Sequence, residues 1–248
     1  MAQRLAGLVV WALVLSITAH AQAHVAPSVD DNNRYLKVTP MGDRVRVAYT
    51  VFFGEVPGAQ TRPSLDTDHD KTISDAEAAA FGQKLARQVA DGLEVELDGQ
   101  IHPITWTEIS VGMGSPAVAA GTFSVDLVAW VCASRGAHTL RLRDRFRITR
   151  PGETEVKVED SPGVTLVRAH VGPADDPQHD FRFVGPGGPI SDDGLELAYD
   201  ATARAPVTPD VVCAAGPRGG HMLLAVLVGL GLAAAAGVGV LVVRRRPA

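Results

Sequence analysis

The stretch RVRVAYTVFF, residues 44–53, carries a large apolar side chain at every second position. An alternation of period two places these side chains together on one face of a β-strand. That face consists of Val45, Val47, Tyr49, Val51 and Phe53. The stretch therefore predicts a strand with one face buried in a hydrophobic core.

The segments around it extend the pattern to a set of strands. RYLKVTP (34–40) is separated from the first strand by Met-Gly-Asp, which predicts a hairpin. LEVELDGQIH (93–102) predicts a second hairpin, with Asp98-Gly99 as its turn. Further strand patterns are FSVDLVAWV (123–131), HTLRLRDRFRI (138–148), TEVKVED (154–160) and GVTLVRAHV (163–171).

One helix stands out among these strands. Residues 75–90 place Phe81, Leu85 and Val89 four residues apart on one face, and Asp91-Gly92 follows as a stop signal. One main helix among seven or more short strands predicts an α+β domain that is β-rich and sandwich-like. We assign residues 24–172 to this domain.

Both ends of the chain are apolar. Arg4 precedes an apolar run at residues 5–17 and small residues in an A-x-A pattern, an order that predicts a secretory signal peptide over residues 1–23. Residues 222–243 contain no charge and no proline. At about 1.5 Å per residue they reach about 33 Å, which is enough for a transmembrane helix.

The arginines that follow this apolar segment predict its orientation. Residues 244–248 contain three consecutive arginines, which favour the cytoplasmic side. We therefore expect an exported, single-pass membrane protein whose bulk is extracytoplasmic, either periplasmic or on the surface. Residues 173–221 are rich in Gly, Pro, Asp and Ala and are interpreted as a tether, with one short strand at DFRFV (180–184).

Charge and motifs exclude several functions. The formal net charge of −5 and a pI near 5.9 argue against a nucleic-acid partner, which would require a basic face. The sequence has no G-x-S-x-G, H-E-x-x-H or phosphate-loop motif. We therefore expect a protein that is not an enzyme. Its protein partner is not predicted.

The segment DTDHDKTISDAE, residues 66–77, holds five acidic residues within twelve positions. Carboxylates so close together repel one another unless they are fully solvated or share a cation. Alternate carboxylates on a tightly curved loop can converge on one hard cation, which prefers oxygen ligands.

This segment resembles the EF-hand calcium loop over its twelve positions and the helix that follows. The resemblance implies Ca²⁺ as the cofactor, bound in the extracellular range of about 10⁻⁴–10⁻³ M. The implied ligands are Asp66, Asp68, Asp70, the backbone carbonyl of Thr72, Ser74 and a bidentate Glu77.

Two features depart from the EF-hand pattern. Lys71 stands in sixth place, where the family has a glycine with positive φ, and it should cost on the order of 1 kcal/mol. Upstream, Pro57, Gly58 and Pro63 predict at most one short turn where the family has a long incoming helix. No second copy of the loop occurs. The alternative is helix capping, since Ser74 and Glu77 form the S-x-x-E capping box.

The two cysteines and a row of arginines leave alternatives open. Cys132 and Cys213 allow a disulfide in an oxidising compartment. However, Cys213 with its glycine-rich spacer, apolar span and arginine cluster also resembles C-terminal sorting tags of Gram-negative bacteria, in which the cysteine is a processing or lipid-attachment site. A free thiol is the third alternative. Arg141, Arg143, Arg145 and Arg147 share one face of a strand. They could bind an anionic headgroup or polysaccharide, or pair with Glu155 and Glu159.

The sequence thus predicts a membrane-anchored, extracytoplasmic calcium-binding module with a structural or binding role in the cell envelope. The order of its segments is also similar to extracytoplasmic portions of bacterial nickel/cobalt-transporter-like membrane proteins. That similarity implies an alternative function as an accessory component of nickel, cobalt or copper uptake.

Overall fold

A computed structural model describes residues 30–185, 188–202 and 213 of the chain. The predicted signal peptide, transmembrane helix and cytoplasmic tail lie outside these residues, as does most of the segment 203–221. Within the described part of the chain, no helix is both long and apolar enough to cross a membrane.

The described residues form twelve strands and three α-helices. The strands are β1 (Asn32–Met41), β2 (Arg44–Phe53), β3 (Leu93–Leu97), β4 (Gln100–His102), β5 (Trp106–Gly112), β6 (Phe123–Cys132), β7 (Gly136–Asp144), β8 (Pro151–Val158), β9 (Val164–Val171), β10 (Ala174–Asp175), β11 (Asp180–Val184) and β12 (Leu195–Ala201). The helices are α1 (Glu55–Thr61), α2 (Asp75–Gly92) and α3 (Pro189–Asp192), with a 3₁₀ helix at Arg62–Ser64.

The strands form two six-stranded sheets. Sheet one has the order β11-β8-β1-β2-β6-β5, and sheet two has the order β10-β9-β12-β7-β3-β4. All pairings are antiparallel except that of β1 with β8, which is parallel. Both predicted hairpins are present, β1 with β2 and β3 with β4. The expectation of a β-rich fold with two sheets and few helices is confirmed.

The core lies between the sheets and follows the alternation of the sequence. The five inward residues of β2 are at most 5% exposed. The alternate residues of β6 from Phe123 to Val131 are also buried, and all of them except Ala129 belong to the same cluster. Sheet two contributes the inward residues of β3, β7 and β12. Burying apolar area is the main stabilising term of such a fold, at about 25 cal/mol per Å².

Helix α2 packs against β5 and carries the predicted apolar face. It extends two residues past the predicted end, to Gly92. A Cβ on Gly82 would lie 2.7 Å from Val111 Cγ2, so glycine permits the close approach of the helix to β5. The indole of Trp106 fixes the same contact, because its Nε1 donates to the carbonyl of Ala86 at 2.8 Å.

The predicted tether is wrong for residues 174–185 and 188–201, which are part of the domain. β12 lies inside sheet two between β9 and β7, and β10, β11 and α3 precede it in the chain. The stretch LELAYDA alternates in the same way as β2, with Leu195, Leu197, Tyr199 and Ala201 at most 1% exposed. The glycines and prolines around it hid this pattern, because they mark turns between short elements as well as linkers.

The segment before the acidic loop is more helical than predicted. Helix α1 and the 3₁₀ helix follow each other without a break, where at most one short turn was expected. Pro57 lies in the first turn of α1 and Pro63 in the first positions of the 3₁₀ helix. The first-turn N–H groups of a helix have no intrahelical partner, so proline is tolerated there.

The arginine row does not lie on one strand. β7 ends at Asp144, whose Oδ1 accepts a hydrogen bond from the N–H of Phe146 at 3.0 Å, so Arg145 and Arg147 belong to the following loop. Arg141 pairs with Glu196 at 2.5 Å. Arg143 and Arg145 both pair with Glu94 at 3.1 Å. The predicted acidic partners are wrong, because Glu155 and Glu159 lie in or beside sheet one and pair with Arg182 and Lys37.

Cys132 and Cys213 form a disulfide. Cys132 is the last residue of β6, so the bond ties residue 213 to one end of sheet one. Of the three alternatives that the sequence left open, pairing is the one observed.

Candidate metal centre

The acidic loop, residues 66–77, is anchored by two buried apolar residues. Leu65 precedes it and Ile73 lies within it, and each is 3% exposed. With Ala78 of α2 they form a small apolar cluster, against which Met113 and Val118 pack. This cluster is separate from the main core. It fixes where the loop begins and where it enters α2.

Three predicted ligands come together. Carboxylate oxygens of Asp66, Asp68 and Asp70 lie within 4.8 Å of one another. Asp66 is 6% exposed, whereas Asp68 and Asp70 are exposed. The loop thus places three acidic side chains around one point at the surface.

Hydrogen bonds from the backbone explain how the chain curves there. The two carboxylate oxygens of Asp66 accept from the N–H groups of Asp70 at 3.1 Å and Lys71 at 3.0 Å. Asp68 Oδ1 also accepts from the N–H of Asp70 at 3.2 Å, and Asp70 Oδ1 accepts from the N–H of Thr72 at 2.7 Å. Aspartate side chains commonly form such local turns. Here they bend the loop around its own carboxylates.

The tight curvature requires two residues with positive φ. His69 has φ of 63° and Lys71 has φ of 70°. An L-residue pays about 1–2 kcal/mol in this left-handed region. Lys71 therefore adopts the conformation for which the resemblance expects glycine, and it carries the strain predicted for that position.

Replacing Lys71 with glycine should stabilise the protein by about 0.5–1 kcal/mol. The relief of left-handed strain exceeds the entropy that glycine adds to the unfolded chain. Chemical denaturation of wild type and K71G measures the difference. K71A is the control, because it removes the charge but keeps the Cβ and hence the strain. Equal stabilities of K71G and K71A would contradict the role of strain.

Glu77 does not join the three aspartates but caps α2. Its Oε2 accepts from the N–H and hydroxyl of Ser74, at 2.9 and 2.8 Å, and Ser74 Oγ accepts from the N–H of Glu77 at 3.3 Å. Its Oε1 accepts from the N–H and hydroxyl of Thr67, at 2.5 and 2.7 Å. The predicted capping box is confirmed. These four bonds occupy about all the lone-pair sites that a carboxylate offers.

Thr72 and Ser74, the two other predicted ligands, are also engaged in local structure. Thr72 lies in an isolated antiparallel β-bridge with Ala117 of the loop between β5 and β6, and the hydrogen bonds of this bridge are made by the neighbouring Lys71 and Ile73. The hydroxyl of Ser74 serves the helix cap. The described structure thus gathers three of the six predicted ligands, and it uses Ser74 and Glu77 to begin the helix.

The hydrogen bonds to Glu77 predict a dependence of stability on pH. The bonds from Ser74 and Thr67, led by the Ser74 backbone N–H, lower the pKa of Glu77 from 4.5 to about 2. A carboxylate with a depressed folded-state pKa stabilises the fold fully above its ordinary pKa. This contribution is lost as the pH falls from about 4.5 to about 2. We expect the melting temperature to fall more steeply with pH over this range in wild type than in E77Q. Parallel curves of melting temperature against pH would contradict the stabilising role of the Glu77 carboxylate.

The donor set suits a hard cation. Three carboxylates offer oxygen ligands, and Ca²⁺ accepts six to eight oxygens in flexible geometry. The described part of the loop offers no sulfur ligand, and His69, its one imidazole, is not in the carboxylate group. A bound divalent ion would offset the mutual repulsion of the three aspartates.

Two parts of the site were not found from the sequence. Arg62, in the 3₁₀ helix, is fully buried and binds the loop between β5 and β6. That loop, residues 113–122, in turn contacts the acidic loop. Partners 40 to 60 residues apart leave no local periodicity. The prolines and glycines near Arg62 gave no indication that its side chain binds the loop 113–122.

No protein-family model matches the chain, and no curated protein sequence is significantly similar to it. The functional assignment therefore depends on the geometry and chemistry of the chain itself.

Proposed function

We propose that residues 66–77 bind one Ca²⁺ ion and that the protein is an extracytoplasmic, membrane-anchored calcium-binding module with a structural or binding role in the cell envelope. The observation that carries this proposal is the approach of the Asp66, Asp68 and Asp70 carboxylates to within 4.8 Å of one another. Helix capping accounts for Ser74 and Glu77, but it does not account for the three clustered aspartates.

The backbone of the loop supports the same proposal. Asp66 is nearly buried and receives two backbone N–H groups, so its carboxylate is oriented before any ion arrives. Preorganised ligands lose less entropy on binding. The strain at Lys71 shows that the tight turn is maintained at a cost in free energy.

Glu77 would limit the affinity. Its carboxylate can complete the oxygen shell only if it gives up hydrogen bonds to Thr67 or Ser74. Ion binding must offset that loss, which is consistent with a weak site of about 10⁻⁴–10⁻³ M. Such a site would be filled where calcium is abundant, and its role there would be structural. The ion would fix the angle between the 3₁₀ helix and α2.

Isothermal titration calorimetry of the purified protein tests the proposal, with calcium, magnesium, nickel and copper titrated separately. We expect calcium to give the strongest binding, and D68N to abolish it. D75N is the matched control, because Asp75 belongs to the same acidic segment but not to the three-carboxylate group. Unchanged calcium binding in D68N would contradict the site. Tighter binding of nickel or copper would favour the alternative role in metal uptake.

A further inference from the structure

The side chain of Arg62 is the centre of a second element of the site. It is fully buried. Each of its five N–H groups donates to a backbone carbonyl of the loop 113–122. The acceptors are Gly121 (2.9 Å), Ser115 (2.8 Å), Ala117 (3.0 Å), Met113 (2.5 Å) and Thr122 (3.0 Å). The guanidinium group also lies over the ring of Phe123, 5.5 Å from its centroid.

A buried guanidinium whose N–H groups all donate to backbone carbonyls is a strong constraint on the chain around it. Five donors is the full capacity of arginine, and their planar geometry fixes the directions of the five acceptors. Removing the side chain would leave these carbonyls without their donor. The loop 113–122 therefore takes its shape from a residue located about 50 positions earlier.

The opposite edge of the same loop binds the acidic loop. Pro116 accepts a hydrogen bond from the N–H of Ile73 at 2.7 Å, and the N–H of Val118 donates to the carbonyl of Lys71 at 3.2 Å. Along residues 115–118, carbonyls directed to Arg62 alternate with groups directed to the acidic loop. This strip is thus held on one edge by Arg62, and on its other edge it holds residues 71–73.

Residues 71–73 directly follow Asp70, the third carboxylate of the group. The strip also makes its contact at Lys71, the residue with strained positive φ, and at Ile73, which anchors the loop in the apolar cluster. The strip therefore supports the acidic loop from the side.

We propose that Arg62 is a positioning residue for the cation site: through the strip 115–118 it fixes residues 71–73 and so sets the affinity of the three aspartates for calcium. This inference rests on the proposed function. Because coupling between two sites is reciprocal, the ion should in turn make the loop 113–122 more rigid.

The test compares calcium affinity and hydrogen exchange in the purified full chain. Wild type, R62K and R62M are titrated with calcium, and the exchange of amides 113–122 is followed by mass spectrometry with calcium and with chelator. We expect calcium to slow this exchange in wild type. In R62K we expect a calcium affinity at least tenfold weaker and loss of the calcium effect on exchange. L197A, with its buried side chain in sheet two, controls for lost stability and should keep its affinity within twofold.

A second pair of variants leaves Arg62 in place. V118P removes the N–H that donates to Lys71, whereas V118A trims the same side chain and keeps that donor. We expect V118P, but not V118A, to weaken calcium binding. This pair decides the question if the Arg62 variants do not fold.

The outcomes separate the inference from the proposed function. Calcium affinity in a folded R62K equal to that of wild type, or equal affinities in V118P and V118A, would overturn the role of Arg62 and leave the calcium site standing. Absence of calcium binding in wild type would overturn the proposed function and this inference with it.

Discussion

Replacing Asp144 with alanine should lower the free energy of unfolding by about 3–5 kcal/mol, because it leaves a buried guanidinium without its counter-charge. Asp144 ends β7 in sheet two, and Arg34 lies on β1 in sheet one. Their side chains are 1% and 4% exposed, and Arg34 Nη1 donates to Asp144 Oδ2 at 3.0 Å. This ion pair is a polar link between the two sheets.

Other groups depend on the same carboxylate. The hydroxyl of Tyr49 donates to Asp144 Oδ2 at 2.8 Å, and two further donors of Arg34 reach the carbonyl of Phe146 and the hydroxyl of Thr154. Burial raises the pKa of Asp144, and the neighbouring Arg34 and Tyr49 oppose that rise. The network therefore joins groups of both sheets, and one deletion affects both of them.

Thermal melting of D144A and D144N measures this effect. At about 2–4 °C per kcal/mol for a domain of this size, we expect D144A to melt about 6–20 °C below wild type. D144N keeps the shape and part of the hydrogen bonding but removes the charge. The difference in stability between D144A and D144N therefore measures the contribution of the hydrogen bonds and packing that asparagine retains. A loss below about 1 kcal/mol in D144A, the range of exposed ion pairs, would show that the pair is not buried in solution.

Replacing Phe123 with alanine should cost about 3–5 kcal/mol, the range for deleting a buried phenylalanine. Phe123 is 2% exposed. Its ring stacks on Phe53 of β2 at 4.3 Å and meets Phe81 of α2 edge-on at 5.8 Å. The ring also lies against the guanidinium of Arg62. It therefore supports the core, the helix that follows the acidic loop and the arginine that holds the loop 113–122.

Chemical denaturation of F123A and F123L checks this prediction. Leucine keeps most of the volume and should cost about 1.5 kcal/mol or less. We expect F123A also to bind calcium more weakly than F123L, because α2 and Arg62 lose a common support. Equal free energies of unfolding for F123A and F123L would contradict the packing role of the Phe123 ring.

Local patterns in the sequence were enough to predict most strands. The strict alternation in β2 and β6 and the turn residues at Asp98-Gly99 depend only on neighbouring residues, and the structure confirms both hairpins. β12 has the same alternation, but its surroundings resemble a linker in composition. Composition describes a whole segment, whereas burial is decided residue by residue, so the pattern was missed.

The arrangement of the sheets and the second half of the site were beyond such patterns. No local pattern in HTLRLRDRFRI indicates that Asp144 pairs with Arg34, which lies 110 positions earlier in the chain. β7 ends at this residue, earlier than the alternation suggests. The support of the acidic loop by residues 113–122 likewise depends on tertiary packing. The acidic loop itself was predictable, because alternate carboxylates within five positions are close in any tight turn.

The central claim, that a divalent cation joins the three aspartates, is tested most directly by thermal melting with about 10 mM calcium and with chelator. A site of about 10⁻⁴–10⁻³ M should add about 1.4–2.7 kcal/mol to the free energy of unfolding under these conditions. The midpoint of wild type should therefore rise by about 3–10 °C, and that of D68N should not move. Equal midpoints of wild type in calcium and in chelator would contradict the account.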